Sequence, residues 1–349
     1  MKSKHKVSQS PRYSKAKLYF PQTVVVLLVV FFLMLISLSS TQQTNMKVAG
    51  VTTAVSSLDL FTESPTEAPV PPQPPLRIEG SVDPLLTARA ALVIDHASGT
   101  TLFAKNEDLP LWPASTTKIM TALVALDEYS PDEIVTVQNP VHEGRIMNLL
   151  PGERIRVETL VESMLIHSAN DAAYALADYH PQGREGFVSR MNQKASELNL
   201  VNTHFSDPAG FDDNKQYSTA SDMAQLATVA FKNPLVFRSI STASITVSDV
   251  DYVTFHRLEN VNELLGTVPG VAGGKTGWTE NAKENLINIT KRNGEEILTV
   301  VLGSDDRFGE TKTLTDWIFT NFTWPGEEIL KSVPTSTLGI QSQELPSDQ

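Results

Sequence analysis

The chain contains no cysteine. That absence excludes disulfide bracing, thiol nucleophiles and cysteine-ligated metals. It leaves the compartment open, because exported proteins without disulfides exist. The seven histidines are scattered and never form H-E-x-x-H, so a zinc-peptidase site has no support. There is no internal repeat. Positive charge is also scarce, with 28 Lys and Arg against 40 Asp and Glu and a net charge of −12. The first 47 residues hold Lys2, Lys4, Lys6, Arg12, Lys15, Lys17 and Lys47 and no acid. The remainder is therefore more acidic than the total suggests, which argues against nucleic acid as a partner. Apolar residues at 41% and charged residues at 19% are ordinary globular values. A length of 349 residues allows one large domain or two ordinary ones.

Val24–Leu38 reads VVVLLVVFFLMLISL, without a charge. Extended to residues 18–40 it is long enough to cross a bilayer core of ~30 Å at ~1.5 Å per residue. The basic residues 1–17 before it place the N-terminus in the cytoplasm and send the remainder outward. A cleaved signal peptide is the alternative reading. The basic region is long, and Ser-Leu-Ser-Ser-Thr-Gln after the run lacks an A-x-A site, so an uncleaved anchor is preferred. Residues 41–76 are rich in Ser, Thr and Pro and end in Pro69-Val-Pro-Pro-Gln-Pro-Pro75. Such a segment cannot bury enough apolar surface to offset its ordering entropy, and its prolines favour an extended spacer. Residues 77–324 are expected to form the folded domain and 325–349 a disordered tail.

Within that domain, Ala88–Ile94 and Thr100–Ala104 read as strands around a His96-Ala-Ser-Gly99 turn. Helical spacing of apolar residues marks 115–127, 157–167, 171–179, 186–198, 221–231 and 307–322. Strands are expected at 273–276, 285–290 and 297–302. Strands at both ends with helices between predict an α+β fold, an antiparallel sheet flanked by a helical half.

Three short motifs carry chemistry. Pro113-Ala-Ser115-Thr-Thr-Lys118 opens an apolar helix. A three-residue step puts Ser115 and Lys118 on one helix face. A serine hydroxyl needs a neighbour to take its proton, and a lysine can do so only with a lowered pKa. Ile119, Met120 and Trp112 are the candidates for dry surroundings. Alone the pattern is weak, since an N-cap serine with a surface lysine looks the same. Ser168-Ala-Asn170 lies between two helices, where Ser, Asn and Asp also serve as caps. Gly273-Gly-Lys275-Thr276-Gly277-Trp278-Thr279 has the glycines of a strand approached closely by another backbone, with a lysine and a hydroxyl suited to an anion.

In the order S-x-x-K, S-x-N, K-T-G, at a helix start, a loop and a strand, the three are far more specific. They resemble the low-molecular-weight penicillin-binding proteins, the serine D-Ala-D-Ala carboxypeptidases of peptidase family S11. The similarity covers most of residues 85–322. It includes Leu92-Val-Ile-Asp95 with Ser98-Gly99, Ser168-Ala-Asn-Asp-Ala-Ala173, Thr203-His-Phe-Ser-Asp-Pro-Ala-Gly210, Tyr217-Ser-Thr-Ala-Ser-Asp222, and Val300-Val-Leu-Gly303 followed by Arg307.

The resemblance implies a β-lactamase/DD-peptidase-like fold and an acyl-enzyme mechanism needing no metal or cofactor. It implies Ser115 as nucleophile, Lys118 as base and Ser168 as proton relay. Asn170 would position the substrate and Lys118. Lys275, Thr276, Gly277 and Arg307 would bind the terminal carboxylate, with the charge of Lys275 lowering the pKa of Lys118. The backbone N–H groups of Ser115 and Trp278 would form the oxyanion hole. The implied partners are peptidoglycan peptides ending in D-Ala-D-Ala and β-lactams as covalent inhibitors, and the implied location is the outer side of the cytoplasmic membrane. Three alternatives stay open: an endopeptidase of the same family, a class A-like β-lactamase and an inactive wall-binding module. The β-lactamase reading lacks its glutamate, because the position four before Asn199 is Ala195.

Two features depart from the family. Asn281-Ala-Lys283-Glu284 is larger and more charged than the small residues usual there. Fewer than 30 residues follow Phe322, too few for the β-rich domain and amphipathic anchor of many relatives. Anchoring is expected to pass to the N-terminal helix.

Overall fold

The computed structural model describes residues 72–325. The expected membrane span at 18–40, most of the linker and the expected tail lie outside the described residues. Among the described residues no helix is long and apolar enough to cross a membrane.

The centre is a five-stranded antiparallel sheet of order β3-β2-β10-β9-β8. Its strands are β2 (Ala90–Asp95), β3 (Thr101–Lys105), β8 (Val271–Thr279), β9 (Lys283–Arg292) and β10 (Glu295–Ser304). A two-residue Asn293-Gly294 turn joins β9 to β10, both residues at positive φ (54° and 93°). That turn matches the twist of the paired strands and sets Arg292 opposite Glu295. A short β1 (Leu76–Arg77) pairs with β11 (Phe322–Thr323). The ordered ladder therefore begins one residue inside the stretch assigned to the spacer.

The sheet is buried on both faces. Alternation along β2 sends Ala90 and Leu92 to one core and Ala91 and Val93 to the other. The larger core joins Leu298, Val300 and Leu302 of β10 to the helical half. That half contains α1 (Lys118–Glu128), α2 (Val157–Ile166), α3 (Asn170–Asp178), α4 (Gly183–Glu197), α5 (Ala220–Ala230) and α6 (Pro234–Ser241). The smaller core lies under α7 (Arg307–Asn321), where Leu314, Ile318, Phe322 and Trp324 meet Val93 and Val301. Each fully buried Leu or Ile contributes about 1.5–3 kcal/mol here. Covering both faces explains why the strands read as near-continuous apolar runs.

Sequence spacing found most elements but not α6, nor the two hairpins formed by β4 (Ile134–Thr136) with β5 (Arg154–Arg156) and β6 (Ser244–Ser248) with β7 (Phe255–Glu259). These strands are short, and β6 is largely exposed, so they carry almost no periodic signal. The β6–β7 hairpin is instead fixed by a buried His256. Its Nε2 lies 2.7 Å from Glu153 Oε1 and its Nδ1 2.8 Å from the Met147 carbonyl.

The first turn of α7 is tied to the sheet by Glu310, a buried carboxylate. It accepts from Thr87 N–H, from Ala88 N–H at 3.1 Å and from Ser304 Oγ at 2.5 Å. Glu310→Ala would leave two backbone donors without their acceptor, at ~1–3 kcal/mol each. The expected result is a thermal midpoint lower by ~2–4 °C per kcal/mol, read by calorimetry.

Candidate active site

The Pro113-Ala-Ser-Thr-Thr-Lys motif forms a single 3₁₀ turn, Ala114–Thr117, running into α1. Ala114 is held at φ 49°, a left-handed conformation that costs an L-residue ~1–3 kcal/mol. Gly210 forces the approach: a Cβ there would lie 2.0 Å from the Ala114 carbonyl oxygen. On the other side a Cβ on Gly277 would lie 3.1 Å from Ser115 N. The serine's backbone is thus clamped between a loop and strand β8.

Lys118 is fully buried beneath it. Its Nζ donates to Ser115 Oγ at 2.9 Å and to the Ala209 carbonyl at 2.5 Å. Ile119 and Met120 are completely buried beside it, whereas Trp112 is only half-buried. Burial lowers the Lys118 pKa to about 7, with Asp207 and Asp171 opposing the drop. The expected repulsion between Lys118 and Lys275 is present, with burial the leading cause of the drop. Lys275 is itself pushed well below the ordinary range by burial first, then by Lys118, Arg307 and Arg145.

Ser168 follows α2 at φ 60°. This left-handed residue turns the chain between α2 and α3 and points its hydroxyl at β8, where Lys275 Nζ donates to it at 2.9 Å. Lys275 also donates to the Thr276 carbonyl at 2.9 Å. Asn170 is the first residue of α3, and its amide donates to the Glu143 carbonyl at 2.9 Å. Neither Asn170 nor Asp171 caps that helix, contrary to their capping tendency; the cap position is Ala169. Asp171 instead accepts from Met147 N–H and Leu149 N–H, both at 3.0 Å. These bonds fix residues 143–149 as a wall. His167 beside Ser168 spends its Nδ1 on the backbone of Glu259.

One cleft of about 840 Å³ gathers Ser115, Ser168, Asn170, Thr276, Gly277, Trp278 and Arg307, together with Arg145, Tyr174 and Phe211. Lys118 and Lys275 lie buried behind its wall. β8 is the edge strand of the sheet and borders the cleft. Arg307 Nη1 donates to the Gly277 carbonyl at 3.2 Å, while its buried Nε has no protein partner among the described residues. The charged departure at Glu284 has a structural use, since its carboxylate accepts from Arg307 N–H at 3.0 Å. Thr279 donates to Asp212 at 2.6 Å and closes the rim beside it. Sequence reading missed Arg145, Tyr174 and Phe211 as lining residues. Arg145 has no motif around it, and the aromatic pair is brought together only by folding. Among the described residues no cluster of three or more His, Asp or Glu is arranged to hold a metal ion.

The family model for D-alanyl-D-alanine carboxypeptidases, peptidase S11, matches residues 79–306. The chain belongs to that family. This S11 member is 33% identical to D-alanyl-D-alanine carboxypeptidase DacF of Bacillus subtilis, over 67% of this chain and 63% of the relative. It is 35% identical to D-alanyl-D-alanine carboxypeptidase DacD of Escherichia coli, over 73% of this chain and 66% of the relative. It therefore spans less than two thirds of the length of either. The crystal structure of the Streptomyces K15 DD-transpeptidase superposes with a TM-score of 0.64 and 29% identity, covering 69% of this chain and all of that one.

Folding weakens the hold of both buried lysines of this S11 member on their protons. Folded Lys118 becomes neutral above about pH 7, while the unfolded chain holds its proton up to 10.5. Stability rises with pH wherever the unfolded state binds more protons. Stability from this residue is thus expected to grow between about 7 and 10.5. Urea midpoints at pH 7, 8 and 9 should climb less steeply in Lys118→Met than in the parent.

Proposed function

We propose that the chain is a serine-type D-alanyl-D-alanine carboxypeptidase acting on peptidoglycan stem peptides through an acyl-enzyme. The observation that carries this reading is the 2.9 Å contact between Ser115 Oγ and a buried Lys118 whose pKa sits near neutrality. At and above that pH the amine can accept the serine proton as Oγ attacks the carbonyl carbon between the two D-alanines. The oxyanion would receive hydrogen bonds from the backbone N–H groups of Ser115 and Trp278. The proton taken by Lys118 would be returned, with the help of Ser168, to the departing amine of the last D-alanine. Water would then hydrolyse the ester to Ser115. Asn170 would hold the substrate backbone against the edge of β8.

The terminal carboxylate would lie at Lys275, Thr276, Gly277 and Arg307. Support comes from the unpartnered Nε of Arg307 and from three cationic side chains near one another, Lys275, Arg307 and Arg145. The same acylation chemistry makes β-lactams covalent inhibitors. Ala195, in the position a class A β-lactamase would need for its glutamate, is buried, and nearby Glu197 pairs with Arg190 on the outside of α4. Residues 77–324 would form the catalytic domain. Residues 18–40 would anchor it, by their apolar run and basic flank, with the domain on the outer side of the cytoplasmic membrane and 41–76 as spacer.

Penicillin incubated with the full-length chain should add one acyl group, mapped to Ser115 by peptide mass. Ser115→Ala should carry none; an adduct that persists in that variant moves the nucleophile elsewhere. Rapid turnover without a lasting adduct would favour a β-lactamase, and no reaction at all an inactive binding module. The acylation rate should fall ~10-fold per unit below pH 7 as Lys118 takes a proton. Arg307→Ala should reduce kcat/KM for a peptide with a free terminal carboxylate ~10-fold or more, a charge-assisted bond being worth ~1.5–3 kcal/mol. A simple ester should be far less affected, and equal losses on both would remove the carboxylate role.

A further inference from the structure

A neutral amine has two N–H bonds and one lone pair. For Lys118 to take the Ser115 proton, that lone pair must face Oγ, and nothing within the lysine fixes the rotation about its Cε–Nζ bond. The second partner of Nζ does: the Ala209 carbonyl, 2.5 Å away. Ala209 belongs to no helix or strand, so its carbonyl is aimed only as well as its turn is held.

One carboxylate holds that turn. Asp207 Oδ1 accepts from the backbone N–H of Ala209 at 2.8 Å, Gly210 at 2.7 Å and Phe211 at 3.1 Å. Its Oδ2 accepts from the Tyr174 hydroxyl on α3 at 2.5 Å. The Tyr174 ring stacks on Phe211 at 6.4 Å and has the Arg184 guanidinium 4.1 Å from its centroid. Supporting bonds run from Thr121 Oγ1 to the Pro208 carbonyl at 2.6 Å and from Asp207 N–H to Gln216 Oε1 at 2.9 Å. The same turn places Gly210 against the backbone of Ala114 and Ser115. It therefore touches both members of the serine–lysine pair.

We propose that Asp207, held by Tyr174, is a positioning residue of this site: it fixes the 208–211 turn so that the Ala209 carbonyl directs the Lys118 amine at Ser115. The inference rests on Ser115 and Lys118 being the reacting pair. The charged groups facing Lys118 are Asp207, Asp171 on α3 and Lys275 on β8. The Asp207 charge favours the protonated amine, so geometry and charge can be separated by substitution.

The test is the pH profile of penicillin acylation for the full-length chain, with the adduct mapped in each variant. Asp207→Asn keeps an acceptor on the turn and removes the charge; its acid limb should move to lower pH by about half a unit or more. Tyr174→Phe keeps the charge and removes its hydrogen-bond donor; its limb should move to higher pH. Asp207→Ala releases the turn, and its plateau rate should fall ~10²-fold, as expected when a reacting group is misplaced by about 1 Å. Shifts of opposite sign in the two conservative variants are a signature that general loosening of the fold does not produce. If Asp207→Ala does not fold, those two variants decide the matter. An adduct on Ser115 with both acid limbs unmoved overturns this inference alone. An adduct on another residue of the parent removes the underlying site reading as well.

Discussion

The site depends on keeping two lysines dry. Lys118 and Lys275 are both almost completely buried, and a buried ammonium without a counter-charge is expensive. The chain meets that cost in different ways. Lys118 is near neutrality by desolvation and donates to one hydroxyl and one carbonyl. Lys275, pressed further by neighbouring cations, also donates to one hydroxyl and one carbonyl. In each case the hydroxyl belongs to a serine on the cleft surface. Each lysine thus lies behind the wall with its amine hydrogen-bonded to its serine.

This arrangement accounts for the backbone strain nearby. Ala114 and Ser168 both adopt left-handed conformations and sit at or beside the two serines. A hydroxyl between a buried amine and an open cleft cannot be presented from a regular helix interior. The chain turns sharply at both places, and surrounding packing holds the turns. Gly210 and Gly277 are small where these turns meet a loop and a strand.

The candidate site was legible in the sequence because its residues are concentrated in three short, local patterns. Ser115 and Lys118 are a helical step apart, and Lys275 and Gly277 share a strand, so each fragment declares itself. Helices α1 to α5 and the apolar strands were legible for the same reason, since their periodicity is local. What escaped was non-local. Asp207 and Tyr174 come from different elements, and nothing in either stretch indicates that one accepts from the other. Glu284 read as a departure in a rim loop, yet its carboxylate meets the Arg307 backbone N–H across 23 positions of sequence.

The cleft lies on a seam. Ser115 and Ser168 are carried by the helical half, whereas Lys275 and Gly277 belong to the edge strand of the sheet. Before these halves dock, the hydroxyl of Ser168 has no lysine beside it and the segment carrying Ser115 has no strand at its flank. A chain in which they had not docked would hold every residue of the candidate site without the contacts that join its two sides.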